Sequence, residues 1–262
     1  MDEQWLERII EHEVAYFAML ASCERTAHAL FLGAQELPEY REGNRALRLR
    51  CAGRPPEAVA SMVVEYYGAR GLPASADVDP IATSEGIGDA LRALGVRPTR
   101  EELILMRYAH AAPPAAAGAP ETVEIVRVPN ETGAGEASDW INTATSDDVG
   151  WPDEAMWRAI ARHEAAYRAC TLFLARVAGR PAAACDLFQH AGWGRIDSVA
   201  THAEFRRRGI GGALVARAIR ESLTSGNSET YLLTEPGGAA ERLYRRLGFE
   251  PWHANPFRPY RA

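Results

Sequence analysis

A chain of 262 residues, 47% hydrophobic and with a net charge of −6, can bury one large or two modest cores, and its acidity argues against general nucleic-acid binding. No apolar run approaches membrane-spanning length, and the acidic start Met1-Asp2-Glu3-Gln4-Trp5 lacks a signal pattern, so a soluble cytoplasmic protein with no membrane partner is expected. Cys23, Cys51, Cys170 and Cys185 show no C-x-x-C spacing, which favours reduced thiols and no metal site.

Helical spacing of Trp5, Ile9, Ala15, Tyr16 and Leu20 predicts a first helix over 3–20. Strands are predicted at 27–32 and 47–51, the second with Leu47 and Leu49 alternating against Arg48 and Arg50. Pro55-Pro56 opens a helix running to Tyr67, a short strand ends near Asp79, and a helix over 84–94 stops at Gly95. A strand at 102–106 closes the first half. The Ala/Pro/Gly-rich stretch after His110 reads as a linker, giving domains 1–110 and 121–262 joined by 111–120.

The second half opens with a strand at 123–128, followed by a polar, loop-rich stretch from Pro129 to Gly150 and an amphipathic helix over 151–169. A hairpin spans 171–189, a strand covers 196–201, and a helix runs from 213 to 223. A further strand at 230–234 and a last helix from Ala240 complete the pattern, an α/β (α+β) mixed-sheet arrangement.

Between the 196–201 strand and the following helix lies Arg206-Arg207-Arg208-Gly209-Ile210-Gly211-Gly212. Glycines let a ligand approach the main chain, a helix N-terminus carries unpaired N–H groups and partial positive charge, and three arginines add to it. A phosphate or pyrophosphate suits such a turn. A Walker loop requires Lys, and this chain has none, so all 29 basic residues are Arg. A dinucleotide fingerprint fails because Leu214 holds its third glycine position.

The remaining pattern, Arg206-x-x-Gly209-x-Gly211, resembles the acetyl-CoA pyrophosphate loop of the GNAT superfamily of acyl-CoA N-acyltransferases. Downstream, Ala240-Glu241-Arg242-Leu243-Tyr244-Arg245-Arg246-Leu247-Gly248-Phe249 is similar to that family's A-x-x-L-Y-x-x-L-G-F signature. The resemblance covers roughly 121–262. It implies acetyl-CoA or another acyl-CoA as co-substrate and direct transfer to an amine in a ternary complex. Arg206, Arg207, Arg208, Gly209, Ile210 and Gly211 carry over as pyrophosphate contacts, Val199 and Thr201 as pantetheine contacts, and Tyr244 as general acid. Where many relatives have a cofactor-binding Asn, this chain has Gly237, and Gly237-Gly238 would have to supply backbone donors instead.

The general base stays open between Asp197, which shares strand parity with Val199 and Thr201, and Glu235 at the end of the next strand. Taken singly, each is better read as a solvated strand-end carboxylate. His190, His202 and His253 are further candidates, and Asp147 and Asp148 near Trp140 and Trp151 could attract a cationic acceptor.

The halves also resemble each other. A shift of 151 makes seven of fifteen positions identical between Asp2–Tyr16 and Asp153–Tyr167, including His12-Glu13 against His163-Glu164. A tandem pair of GNAT-like domains is therefore expected. Its N-terminal copy is degenerate, because Arg54-Pro55-Pro56-Glu57 aligns with the glycine loop, removes donors and adds a negative charge.

The expected activity is transfer of a short acyl group to a small-molecule amine. The alternatives are acylation of a protein or carrier protein, and a non-catalytic acyl-CoA sensor. The oligomeric state is not legible.

Overall fold

The computed structural model describes residues 3–79, 83–99, 103–114, 123–131, 135–146, 153–252 and 258–262. Two compact units divide the chain: one comprises 1–102 with 255–262, the other 103–254. This division differs from the one expected at the Ala/Pro-rich stretch. The second unit begins upstream of that stretch, the last eight residues return to the first unit, and 115–120 lie outside the described residues.

In the first unit, α1 (Glu3–Phe17) buries Leu6, Ile9, Ile10, Val14 and Phe17, a helical stripe. Its sheet runs β1 (Ser22–Arg25), β2 (Leu30–Gly33), β3 (Ala46–Leu47), β4 (Ser75–Val78), β13 (Arg258–Arg261) and β5 (Arg97–Pro98) in spatial order. Only β3 and β4 pair in parallel, at Ala46 and Ala76. Helices α2 (Pro56–Gly68) and α3 (Ile87–Ala93) contribute Val59, Val63, Tyr67, Ile87 and Leu91 to the core.

The second unit has seven strands in the order β12 (Phe249–Pro251), β6 (Ile104–Tyr108), β11 (Glu229–Thr234), β10 (Trp193–Thr201), β9 (Arg180–His190), β8 (Cys170–Val177) and β7 (Val123–Val128). Again one pair, β10 with β11, is parallel and the rest are antiparallel. Helices α4 (Gly135–Ala144) and α5 (Glu154–Ala166) precede β8, α6 (Ile210–Thr224) follows β10, and α7 (Ala239–Arg246) follows β11.

The two sheets thus share a plan of six strands, in which β1-β2-β3-β4-β13-β5 corresponds to β8-β9-β10-β11-β6-β12, with β7 added at an edge. The fifth place is filled out of turn in both. The strand following β5 in the chain joins the second sheet, while the strand following β12 joins the first.

Helix α4 lies where the sequence reads as loop. Ser, Asp, Asn and Thr are weak helix formers, but Ala137, Trp140, Ile141 and Ala144 recur at helical spacing and are buried. The Trp140 indole N–H donates to the Cys185 carbonyl at 3.0 Å, which fixes the helix over β9.

Tyr260 of β13 is buried in the first unit's core, and its hydroxyl accepts from Arg92 at 2.8 Å. Tyr260→Ala is expected to cost about 3 to 5 kcal/mol, the range for deleting a buried aromatic. Chemical denaturation with a probe in residues 3–99 should show that unit unfolding first.

Candidate functional site

The single parallel pairing of the second sheet is short. Trp193, Gly194 and Arg195 of β10 face Glu229, Thr230 and Tyr231 of β11, and beyond them β11 turns its ladder to β6. From Ile196 onward β10 has only β9 beside it. Just there β10 bulges: Asp197 pairs with Asp186, but the next pair is Ala200 with Ala184, so one extra residue is accommodated. Ser198 takes a left-handed φ of 52°, an uncommon conformation for a side-chain-bearing residue. Its N–H turns onto the Asp197 Oδ1 at 2.8 Å.

The edge left open by this parting leads to the arginine-glycine turn. A 3-10 turn, Ala203–Phe205, joins β10 to Arg206, whose Nε donates to the Thr201 carbonyl at 2.9 Å and ties the turn to the strand. Arg207 and Gly209 have φ of 61° and 77°, and Arg206, Arg207, Arg208 and Gly209 are exposed. Gly209 caps α6, and the first intrahelical bond is from the Ala213 N–H to its carbonyl at 3.0 Å. The N–H groups of Ile210, Gly211 and Gly212 precede that bond and point out of the helix end. A Cβ on Gly211 would lie 3.1 Å from the Thr201 Oγ1, so glycine permits the helix end to close on the strand. The turn therefore offers an anion a cluster of backbone donors under positive charge.

Tyr244, buried on α7, packs in the core with Cys185, Ile196 and Phe249. Burial pushes its hydroxyl well above the ordinary phenol value, and the charges of Asp197 and Cys185 add to this. Leu243 beside it meets the α6 end at Gly211 and Gly212. Glu235 is exposed in the turn after β11, and the carboxylate whose field reaches Tyr244 is Asp197. The Gly237 N–H is committed to Glu241 Oε2 at 2.6 Å, which with Arg245 holds that carboxyl below its usual range, so Gly237 is no spare donor.

Sequence reasoning missed two acids. Asp186 is a lone charge in the apolar run Ala182-Ala183-Ala184-Cys185-Asp186-Leu187-Phe188, and that isolation was the available signal. It is fully buried opposite Asp197, where the Ser198 hydroxyl and the Arg195 charge act on its carboxyl. Glu164 on α5 accepts from the Ser198 hydroxyl at 3.2 Å, and Arg195 pairs with Asp197 at 2.9 Å. Burial, then the charges of Glu164 and Asp197, push the Asp186 carboxyl far up. His190 is exposed beside Phe188, and His202 begins the 3-10 turn. Asp147, Asp148, Trp151 and His253 lie outside the described residues. No group of three or more His, Cys, Asp or Glu among the described residues is arranged to hold a metal ion. No helix among them is long and apolar enough to cross a membrane.

In the first unit the segment after β3 is bonded to its own chain. After β3, the Leu49 carbonyl accepts from the Ser84 N–H at 3.0 Å, and the Cys51 N–H donates to the Ser84 Oγ at 3.0 Å. Pro56 starts α2, and a Cβ on Gly86, the cap of α3, would come within 3.1 Å of the Pro56 ring.

A mixed-sheet α/β unit with parted parallel strands and an anion-ready helix end at their mouth is the class these features define. The acetyltransferase (GNAT) family model matches residues 136–249, which places a GNAT domain in the second unit. No curated protein matches the chain in sequence. Among solved structures, a GCN5-related N-acetyltransferase from Kribbella flavida is similar over 97% of this chain and 94% of that one, at 18% identity and a TM-score of 0.71. A tandem GNAT protein from the clavulanic acid biosynthesis pathway covers 83% and 74%, at 15% identity and a TM-score of 0.60. A GCN5-related N-acetyltransferase from Sphaerobacter thermophilus covers 78% and 66%, at 20% identity and a TM-score of 0.56. At these identities the likeness is one of fold.

A carboxyl whose folded pKa lies above its unfolded one holds more protons folded than unfolded between the two values, so stability falls as pH rises through that interval. Asp186 is such a group. Asp186→Asn should therefore gain stability over wild type as pH rises from about 4, by up to about 1.4 kcal/mol per pH unit. Urea denaturation at acidic and neutral pH checks the sign; a gap that does not widen with pH would contradict it.

Proposed function

We infer that the second unit transfers an acetyl or other short acyl group from acyl-CoA to an amine of a small-molecule acceptor, in one step within a ternary complex. The observation that carries this reading is the α6 end, with Gly209, Ile210 and Gly211, standing at the mouth of the parted strands β10 and β11. The pyrophosphate would take the N–H groups of the first helical turn and the charge of exposed Arg206, Arg207 and Arg208. The pantetheine arm would run along the open edge of β10 at Val199 and Thr201, bonding main-chain groups as an added strand does.

In this reading a neutral amine attacks the thioester carbonyl carbon, a C–N bond forms, the C–S bond breaks, and the sulfur needs a proton. Tyr244 is the proposed donor, since burial keeps its hydroxyl protonated. Asp197 is favoured over exposed Glu235 as the proton acceptor because its charge reaches the Tyr244 hydroxyl. The first unit, with its opening spanned by Ser84, is proposed to be a degenerate copy that binds no acyl-CoA.

Calorimetric titration of acetyl-CoA should give one site per chain. Gly209→Glu, which strains a left-handed position and adds a negative charge, should weaken binding at least about tenfold. Tyr244→Phe should lower kcat for thiol release about a hundredfold with KM for acetyl-CoA little changed. Absence of binding in wild type would overturn the loop assignment. Binding without thiol release from any amine would favour a sensor.

A further inference from the structure

The sheet of the first unit is completed by a piece of chain that follows the second unit. Residues 1–102 supply β1 to β5, and the place between β4 and β5 is filled by β13, at residues 258–261. β5 meets the sheet through β13, so without that strand β4 gains an open edge and β5 stands apart. Every strand of the second sheet, by contrast, lies between residues 104 and 251.

The hold on β13 is narrow. Arg258, Pro259, Tyr260 and Arg261 pair with β4, Tyr260 and Arg261 also with β5, and of the four only Tyr260 is buried. Pro259 stands inside the sheet, where proline is disfavoured because it brings no N–H to the ladder. Its carbonyl accepts from the Thr99 N–H at 2.9 Å, and the Ala262 N–H donates to the Ala74 carbonyl at 3.0 Å.

Recognition is concentrated in the tyrosine. Its ring belongs to the core cluster with Ile87, Ala90, Leu91 and Val96, and its hydroxyl accepts from Arg92 at 2.8 Å. A Cβ on Gly88 would stand 3.0 Å from that oxygen. Helix α3 thus presents a socket for a phenol: an apolar wall, a cation at its end, and a glycine that leaves room for the hydroxyl.

A segment with one anchor, few pairs and a proline is the part of a fold that opens ahead of global unfolding. We propose that the slot between β4 and β5 is an exchangeable strand-binding site, which releases β13 and accepts in trans an extended peptide carrying tyrosine in the same register. The first unit thereby opens and closes while the second sheet stays whole. Main-chain pairing along β4 sets the extended backbone of the ligand, and the α3 socket sets its tyrosine.

The full chain is compared with its Tyr260→Phe variant, which keeps the ring and loses the bond to Arg92. A fluorescently labelled peptide with the sequence of residues 255–262 is titrated into each and followed by anisotropy, beside a control peptide carrying Tyr260→Ala. Native-state hydrogen exchange is read at the amides of both sheets. The labelled peptide should bind the variant about tenfold more tightly than wild type, because loss of a hydrogen bond to a charged group leaves more slots open and apparent affinity scales with the open fraction. The control peptide should bind neither protein. Amides of β13 and β5 should exchange together, faster than those of β2 and of β8 to β10, and about tenfold faster still in the variant. Gly88→Ala, which favours the helix yet crowds the hydroxyl, should speed the same amides, so a faster exchange cannot come from a weakened α3.

Exchange of the β13 amides only together with those of β2, as in unfolding of the whole first unit, would overturn the proposal. So would a labelled peptide that binds neither protein, or a control peptide that binds as well as the labelled one.

Discussion

The parallel ladder between β10 and β11 holds for three residue pairs and then ends, and the rest of the second unit is arranged around that ending. Beyond Arg195 and Tyr231 the two strands take different partners, so one edge of β10 keeps main-chain donors and acceptors that its own sheet does not use. Such groups must find water, side chains or a ligand. The bulge at Asp197 and Ser198 turns the strand at the same level, and glycine at 211 lets the α6 end close on Thr201 without crowding its hydroxyl. One interruption of regular pairing thus brings a strand edge, a helix end and a kinked strand carrying an acid to the same place.

The parting also explains why side chains from both faces of the sheet can act together. Tyr244 belongs to the core on the α6 face, with Cys185, Leu187 and Ile196, while Asp186 alternates to the other face. A continuous ladder would keep these layers electrically separate. Here the charge of Asp197 is felt by Tyr244 on one side and by Asp186 on the other. In the proposed reaction that adjacency lets a proton leave the acceptor and another reach the sulfur without either group crossing the sheet.

What the sequence made legible follows the range of the interactions involved. The arginine-glycine turn, the α6 and α7 helices and the strands around them depend on local spacing, and they appear within a few residues of expectation. Helix α4 does not, because polar residues outvote the buried stripe of Ala137, Trp140, Ile141 and Ala144, whose partner is the distant strand β9. The strand β13 escapes for the same reason: Arg258–Arg261 has no local signal, and its place is set by pairing with Ser75–Val78. Asp197 was singled out from strand parity, but the acids that complete its surroundings come from β9 and α5, and only the fold joins them.

The two units show that an acid in a buried sheet can be resolved in opposite ways. In the first, Asp77 is buried, and burial pushes its carboxyl up, but Arg45 stands 2.8 Å away and completes the pair inside the protein. Ser84 likewise occupies the strand-edge groups after β3, so polar demand there is met from within. In the second unit the edge of β10 beyond Arg195 has β9 alone beside it, and Asp186, though the Ser198 hydroxyl and the Arg195 charge act on it, keeps a carboxyl pushed far up by burial. Burying a carboxylate is costly, and the two units meet that cost differently, by a close Arg45 partner in one and by favouring the protonated carboxyl in the other.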